Sequence, residues 1–276
     1  MKTNSFIGFL LLAAAALLLN GCSKTTITID EGGNTSSGGS SEDSSGSGTT
    51  TADNLVGFHA TVESLDMTRS MSPIATGTVV CIFAYHGGTD ETHSTAPIAR
   101  GTYSAQQAGT LTGNSGYKMY LSNGTFDFYA VSTNTDTVPP TFQMGTSTAL
   151  ANGVDYLWWG CADYEINGSQ VTVPIVLNHS ATQVCFDIEA GTGVVLQSIA
   201  SATITVPQPG ASMGLTTRVI TPATEYAAQP ASMGINGMRL QYTMLPLQTT
   251  SPMTLTLSLN MNYDPTPHSY TVQVPV

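Results

Sequence analysis

After residue 54, apolar and polar residues alternate with period two over much of the chain, most clearly in its middle. Val171, Val173, Ile175 and Leu177 alternate with Thr172, Pro174, Val176 and Asn178. A few residues on, Val184, Phe186 and Ile188 fall on one face, with Gln183, Cys185, Asp187 and Glu189 on the other. Alternation of this kind predicts half-buried antiparallel strands. The Asn167-Gly168 pair sits between apolar runs and predicts a hairpin turn, because both residues tolerate positive φ. Upstream lie an aromatic corner, Tyr156 to Trp159, and a short strand around Tyr164. The polar break at 178–182 marks the expected junction between two domains, 54–178 and 179–276.

The flanking sequence repeats the pattern. Val56, Phe58, Ala60 and Val62 alternate with Gly57, His59, Thr61 and Glu63. A strong strand is predicted over 78–85, weaker ones near 101–105 and 117–121, and one dense in aromatics over 124–131. Pro139-Pro140 makes 134–140 a loop, because proline cannot donate to a ladder. Further strands are predicted over 194–206, 238–247, 253–263 and 269–276. In the third of these, Leu255, Leu257, Leu259 and Met261 alternate with Thr254, Thr256, Ser258 and Asn260. Ala211-Ser-Met-Gly214 and Ala231-Ser-Met-Gly234 read as two turn-and-strand starts. Strands at this density with Gly/Pro turns make an all-β chain of sandwiches or barrels.

The N-terminus departs from this pattern. Lys2 precedes an unbroken apolar run over 6–19, too short to span a bilayer and right for a signal peptide over 1–21. The run ends in Leu19-Asn20-Gly21-Cys22, which resembles the lipobox of bacterial lipoproteins and implies acylation of Cys22. Residues 22–53 are rich in Gly, Ser and Thr and are expected to form a flexible tether to the membrane. The formal charge is −11, with no basic patch, which argues against nucleic acid as a partner. Cys81, Cys161 and Cys185 remain, an odd number whose spacing resembles neither a metal site nor a disulfide framework. They are expected to be mostly unpaired.

No set of residues points to catalysis. There is no Gly-x-Ser-x-Gly elbow and no phosphate loop, so neither an enzyme nor a cofactor is expected. His86 and His93 flank Asp90 and Glu91 at a spacing unlike common zinc sites, and they read as a solvated hairpin loop with no metal. His179 reads as a hydrogen-bonded corner residue. Trp158 and Trp159 could form a glycan-stacking platform, although neighbours on a strand face opposite ways. Asp136-Thr137-Val138 resembles the motif that some Gram-negative anaerobes O-glycosylate, which makes Thr137 a candidate acceptor.

In order, Cys22, Phe58-His59-Ala60 before Thr68-Arg69, Phe126-Asp127-Phe128-Tyr129-Ala130, Asp155-Tyr156-Leu157-Trp158 and the block from Val171 to His179 resemble the fimbrillin family. The resemblance covers most of residues 55–190. It implies two transthyretin-like β-sandwich domains in tandem and export as an outer-membrane lipoprotein. It also implies a structural or adhesive role in cell-surface fimbriae, as stalk, tip or anchor, with other fimbrial subunits as partners. In that family a protease cuts after a basic residue following the first strand, and a strand from a neighbour fills the groove left behind. The matching residue here is Arg69, and the candidate donor strand carries Tyr270, Val272, Val274 and Val276. The chain ends sooner after this strand than the family commonly does. The alternative is a monomeric surface lipoprotein that binds a glycan through an aromatic face.

Overall fold

The structure is a computed structural model that describes residues 53–64, 70–88, 93, 95–208, 210–223, 228–262 and 264–276. The leader, the tether with its Cys22, and Arg69 lie outside these residues. The first strands are β1 (Asn54–Glu63), β2 (Met71–Pro73), β3 (Val79–His86), β4 (Ala99–Ala105), β5 (Thr110–Gly113), β6 (Met119–Leu121) and β7 (Gly124–Ser132). Three two-residue strands follow: β8 (Phe142–Gln143), β9 (Thr146–Ser147) and β10 (Leu150–Ala151). Then come β11 (Leu157–Ile166) and β12 (Gln170–His179).

Seven of these strands close into a barrel in the order β12-β11-β7-β3-β4-β5-β1, with β1 returning to β12. The alternation in β1 puts Val56, Phe58 and Ala60 inside, where each is at most 3% exposed. They pack against Phe128 from β7, Leu157 and Trp159 from β11, and Val173, Ile175 and Leu177 from β12. One edge of β1 takes β6, β5 and β2 in succession along its length. The other edge runs parallel to β12 from Leu55↔Gln170 to Val62↔Leu177. That parallel seam corrects the expectation of a simple antiparallel hairpin after Asn167-Gly168. Strands β11 and β12 pair only at their far ends, Leu157↔His179 and Trp158↔Asn178. Near the turn they splay apart, and β12 gives its long ladder to β1. Sequence alternation reports the buried face, not the partner, so this seam was not readable from it.

Strands β3 and β7 are buried on both faces. Val80, Ile82 and Ala84 point into the barrel. Cys81, Phe83 and Tyr85 point outward into a second cluster with Tyr129, Val131 and Leu215, against which Phe142 and Trp158 also pack. A strand covered twice reads as a continuous apolar run, which is what Val79 to Tyr85 is. The bulge in β11 between Cys161 and Tyr164 places Asp163 at φ 53, and the Asp163 N–H donates to Asp127 Oδ1 at 2.8 Å.

The remaining strands are β13 (Thr182–Asp187), β14 (Leu196–Thr205), β15 (Gly210–Met213), β16 (Ile220–Pro222), β17 (Pro230–Ser232), β18 (Gly234–Asn236), β19 (Arg239–Met244), β20 (Met253–Met261) and β21 (Asp264–Val274). A three-stranded sheet, β13-β19-β18, faces a four-stranded sheet, β17-β14-β20-β21. Ile199, Ile204, Leu240, Tyr242, Leu255 and Leu257 fill the space between them. The facing sheets differ by one strand. Opposed residues of a ladder share a face, so Tyr270 and Val272, opposite Leu257 and Leu255, lie on the core side of their sheet. They are nevertheless 44% and 46% exposed, because the shorter sheet does not reach over them. Strands β15 and β16 belong to neither layer. Strand β15 pairs with β10 on one side and β16 on the other, and carries Ala211 and Met213 onto Leu150, Tyr156 and Leu245.

Candidate functional site

The sequence-predicted residues fall in three places. The first is the seam of β1. Its apolar residues are sealed by two ladders and by the turn before β5. There Gly109, at φ 84, lies so close that a Cβ would meet Ala60 O at 2.3 Å, so only glycine fits under β1. Asn54, buried at the start of the strand, donates through Nδ2 to Leu121 O at 3.0 Å and to Asn123 Oδ1 at 2.8 Å.

The second place is where the two halves of the chain meet. Trp158 and Trp159 do face opposite ways on β11 and present no shared surface. Trp159 is 7% exposed inside the barrel. Trp158 faces outward, its indole N–H donating to Leu215 O at 2.7 Å, with the Arg218 guanidinium 6.0 Å from its ring. A cation over an indole face is attracted by the ring quadrupole. The same guanidinium donates to His179 O and, through Nε, to Ser180 Oγ at 3.1 Å. Burial pushes the Arg218 pKa down, while the charge of Glu63, at the end of β1, opposes that shift. His179 is the hydrogen-bonded corner expected of it: its Nδ1 lies 2.7 Å from Asp155 Oδ1, and Asp155 Oδ2 accepts from Asn134 Nδ2 at 2.9 Å. Arg218 and Asn134 had no signal in the sequence, and Asp155 stood out only as part of the aromatic corner, not as the partner of His179 and Asn134. They act across long separations, and nothing local to the segment around Arg218 announces that contact.

The third place is the C-terminal strand. Tyr270, Val272 and Val274 lie on one face of β21, all within the ladder to β20, and Val276 lies just beyond the strand. Thr137 is exposed on the loop after β7, its N–H donating to Thr135 Oγ1 at 3.1 Å.

The histidine loop differs from expectation. His93 is 1% exposed, stacked on Tyr85 with ring centroids 4.0 Å apart, and its Nε2 lies 3.3 Å from Asp127 Oδ2 and 3.2 Å from Tyr129 Oη. It is a core residue, because the aromatic ring of Tyr85 gives the imidazole a surface to cover. Asp90 and Glu91 lie outside the described residues. Among the described residues, no group of three or more His, Cys, Asp or Glu side chains could hold a metal ion. Cys81 is a buried free thiol and Cys185 an exposed one.

A sequence model described as fimbrillin-like matches residues 68–275. No curated protein matches the chain significantly. Among solved structures, a candidate cell adhesion protein from Bacteroides ovatus superposes with a TM-score of 0.55 at 16% identity, over 80% of this chain and 86% of that one. A candidate cell adhesion protein from Bacteroides uniformis gives 0.54 at 15% identity, over 74% and 79% of the two chains. Likeness at this identity speaks to the fold.

Proposed function

We propose, from the premise that the chain belongs to the fimbrillin-like family, that it is a structural or adhesive subunit of cell-surface fimbriae rather than an enzyme. The candidate cell adhesion proteins of similar fold support an adhesive surface role. The observation that carries the assembly reading is the seam of β1: a single N-terminal strand closes the barrel through an eight-residue parallel register with β12.

In this reading Cys22 anchors the chain to the outer membrane through its acyl chains, and 22–53 gives it reach. Residues 54–178 and 179–276 act as two domains of transthyretin-like type. The two separate hydrophobic cores support that division. Cleavage after Arg69 frees β1, which carries Val56, Phe58 and Ala60 away with the half-buried Val62 and leaves an apolar groove lined by barrel residues such as Phe128, Leu157 and Ile175. Burying such side chains is worth on the order of several kcal/mol, so the groove favours capture of a replacement strand by β-augmentation. The donor is β21 of a neighbour, with Tyr270, Val272, Val274 and Val276. As an edge strand it is held by one ladder only, and its inner face is half uncovered, which lowers the cost of releasing it. Other fimbrial subunits are then the partners. Thr137, exposed on its loop, is accessible to an O-glycan.

The test is treatment of the purified protein with an arginine-specific protease. Wild type is expected to lose its first strand and form ladders on mild SDS gels, and Arg69→Ala to stay monomeric. If trimmed wild type remains monomeric, or if Arg69→Ala assembles equally, strand exchange at this seam is wrong.

A further inference from the structure

A cleft of about 480 Å³ opens between the loop after β7, the turn between β9 and β10, and Thr243 of β19. It takes residues from both halves of the chain, and its walls are unusually well fixed for loop walls. Two consecutive residues at its base hold both sides. Asp155, itself held by His179, accepts from Asn134 Nδ2 and pins the loop wall. Tyr156 accepts the Ala151 N–H on its hydroxyl at 3.1 Å and pins the wall that carries β10. Within the loop, the Asn134 N–H donates to Ser132 Oγ at 3.1 Å, and Thr133 Oγ1 donates to Thr137 O at 3.0 Å. The Gly153 N–H donates to Thr243 O at 2.8 Å and closes the far end. A rigid polar wall spares a ligand the entropy of ordering it.

Among the described residues, the lining holds a single charged side chain and no cation. No Lys or Arg is among the described residues around the cleft, and both oxygens of its one carboxylate, Asp155, are already engaged. The hydroxyls of Thr148 and Thr243 line it without a protein partner among the described residues. Val138, 58% exposed, supplies an apolar patch beside them. A smaller depression of about 260 Å³ shares Gly153 and Thr243 with the cleft and adds the amides of Gln183 and Gln241. The two adjoin at Gly153 and Thr243, which lets a chain of sugar rings run from one into the other.

Neutral hydroxyls and amides beside an apolar patch match a sugar, which offers hydroxyls around its edge and C–H groups on its face. A net charge of −11 disfavours polyanions. We infer that this cleft binds a neutral oligosaccharide. The inference rests on the surface-subunit reading above, since a glycan ligand requires exposure outside the cell. The site is distinct from the tryptophan pair, whose indoles are buried or engaged.

The experiment uses protein from a host without O-glycosylation, so that Thr137 stays bare. It measures retention on immobilised mannan, xylan, galactan and β-glucan, with polygalacturonate and heparin as polyanions. At least one neutral polymer is expected to be retained and neither polyanion. Thr148→Trp, which fills the cleft from an exposed position, is expected to weaken that binding at least tenfold. Thr243→Val, which keeps the shape and removes the hydroxyl, is expected to weaken it severalfold. Retention of no neutral polymer, retention of a polyanion, or unchanged binding by both variants overturns the inference. If the neutral panel fails while protease trimming still yields ladders, only the ligand falls. If the panel binds while trimming leaves monomers, only the assembly reading falls.

Discussion

The barrel and the C-terminal sandwich use similar strands and solve the edge problem in opposite ways. The barrel closes on itself through β1 and β12, so its inner residues are sealed, with Phe128, Leu157 and Leu177 at 0% exposure. The sandwich pairs four strands against three and leaves Tyr270 and Val272 on the core side, half open to water. Closure removes edges at the cost of making every strand necessary. An open sandwich keeps an edge available. The difference locates where each half can change: the barrel only by losing a whole strand, the sandwich by exchanging or covering an outer one.

Three measurements put this contrast at risk. Phe128→Ala opens a cavity in a sealed core and is expected to cost about 3–5 kcal/mol in urea unfolding. Hydrogen exchange should then show protection lost in the barrel and kept in β20. Equal loss in both would mean that the two cores unfold as one unit. Arg218→Ala comes next. It strips the partner from His179 O and the cation from Trp158, and is expected to cost about 1–3 kcal/mol. It should also split unfolding into two transitions, because these contacts join the two halves. A single unsplit transition would show that β10 and β15 suffice to couple them. The smallest effect belongs to Val272→Thr, expected within about 0.5 kcal/mol of wild type because the site is already half in water. A loss above about 2 kcal/mol would show that the exposed face is covered in solution.

Alternation made the inner faces of β1, β12 and β20 legible, since one buried face forces a period of two. The double burial of β3 has its counterpart in the unbroken apolar run from Val79 to Tyr85, whereas Asp127 interrupts the run in β7. What the chain did not disclose were its long-range pairings. Val171 to Leu177 carries the same pattern whether its partner is β11 or β1. Strands β15 to β18 are three or four residues long and too short for any period to declare itself. The burial of His93 depends on Tyr85 and Tyr129 meeting it in space. The cleft was invisible for the same reason. Threonines in a loop are ordinary until Asp155 and Tyr156 fix two separate segments around them.

The parallel seam also sets an order of events during synthesis. Strand β1 emerges first, and its partner β12 only after the rest of the barrel has been made, because Leu55 pairs with Gln170. Contacts this distant along a chain form slowly, since the intervening loop must first be ordered. Until then Val56, Phe58 and Ala60 sit on an unsatisfied strand, the kind of segment that chaperones shield and that aggregates when left alone. The strand that completes the finished barrel is thus the one most in need of an escort on its way to the surface.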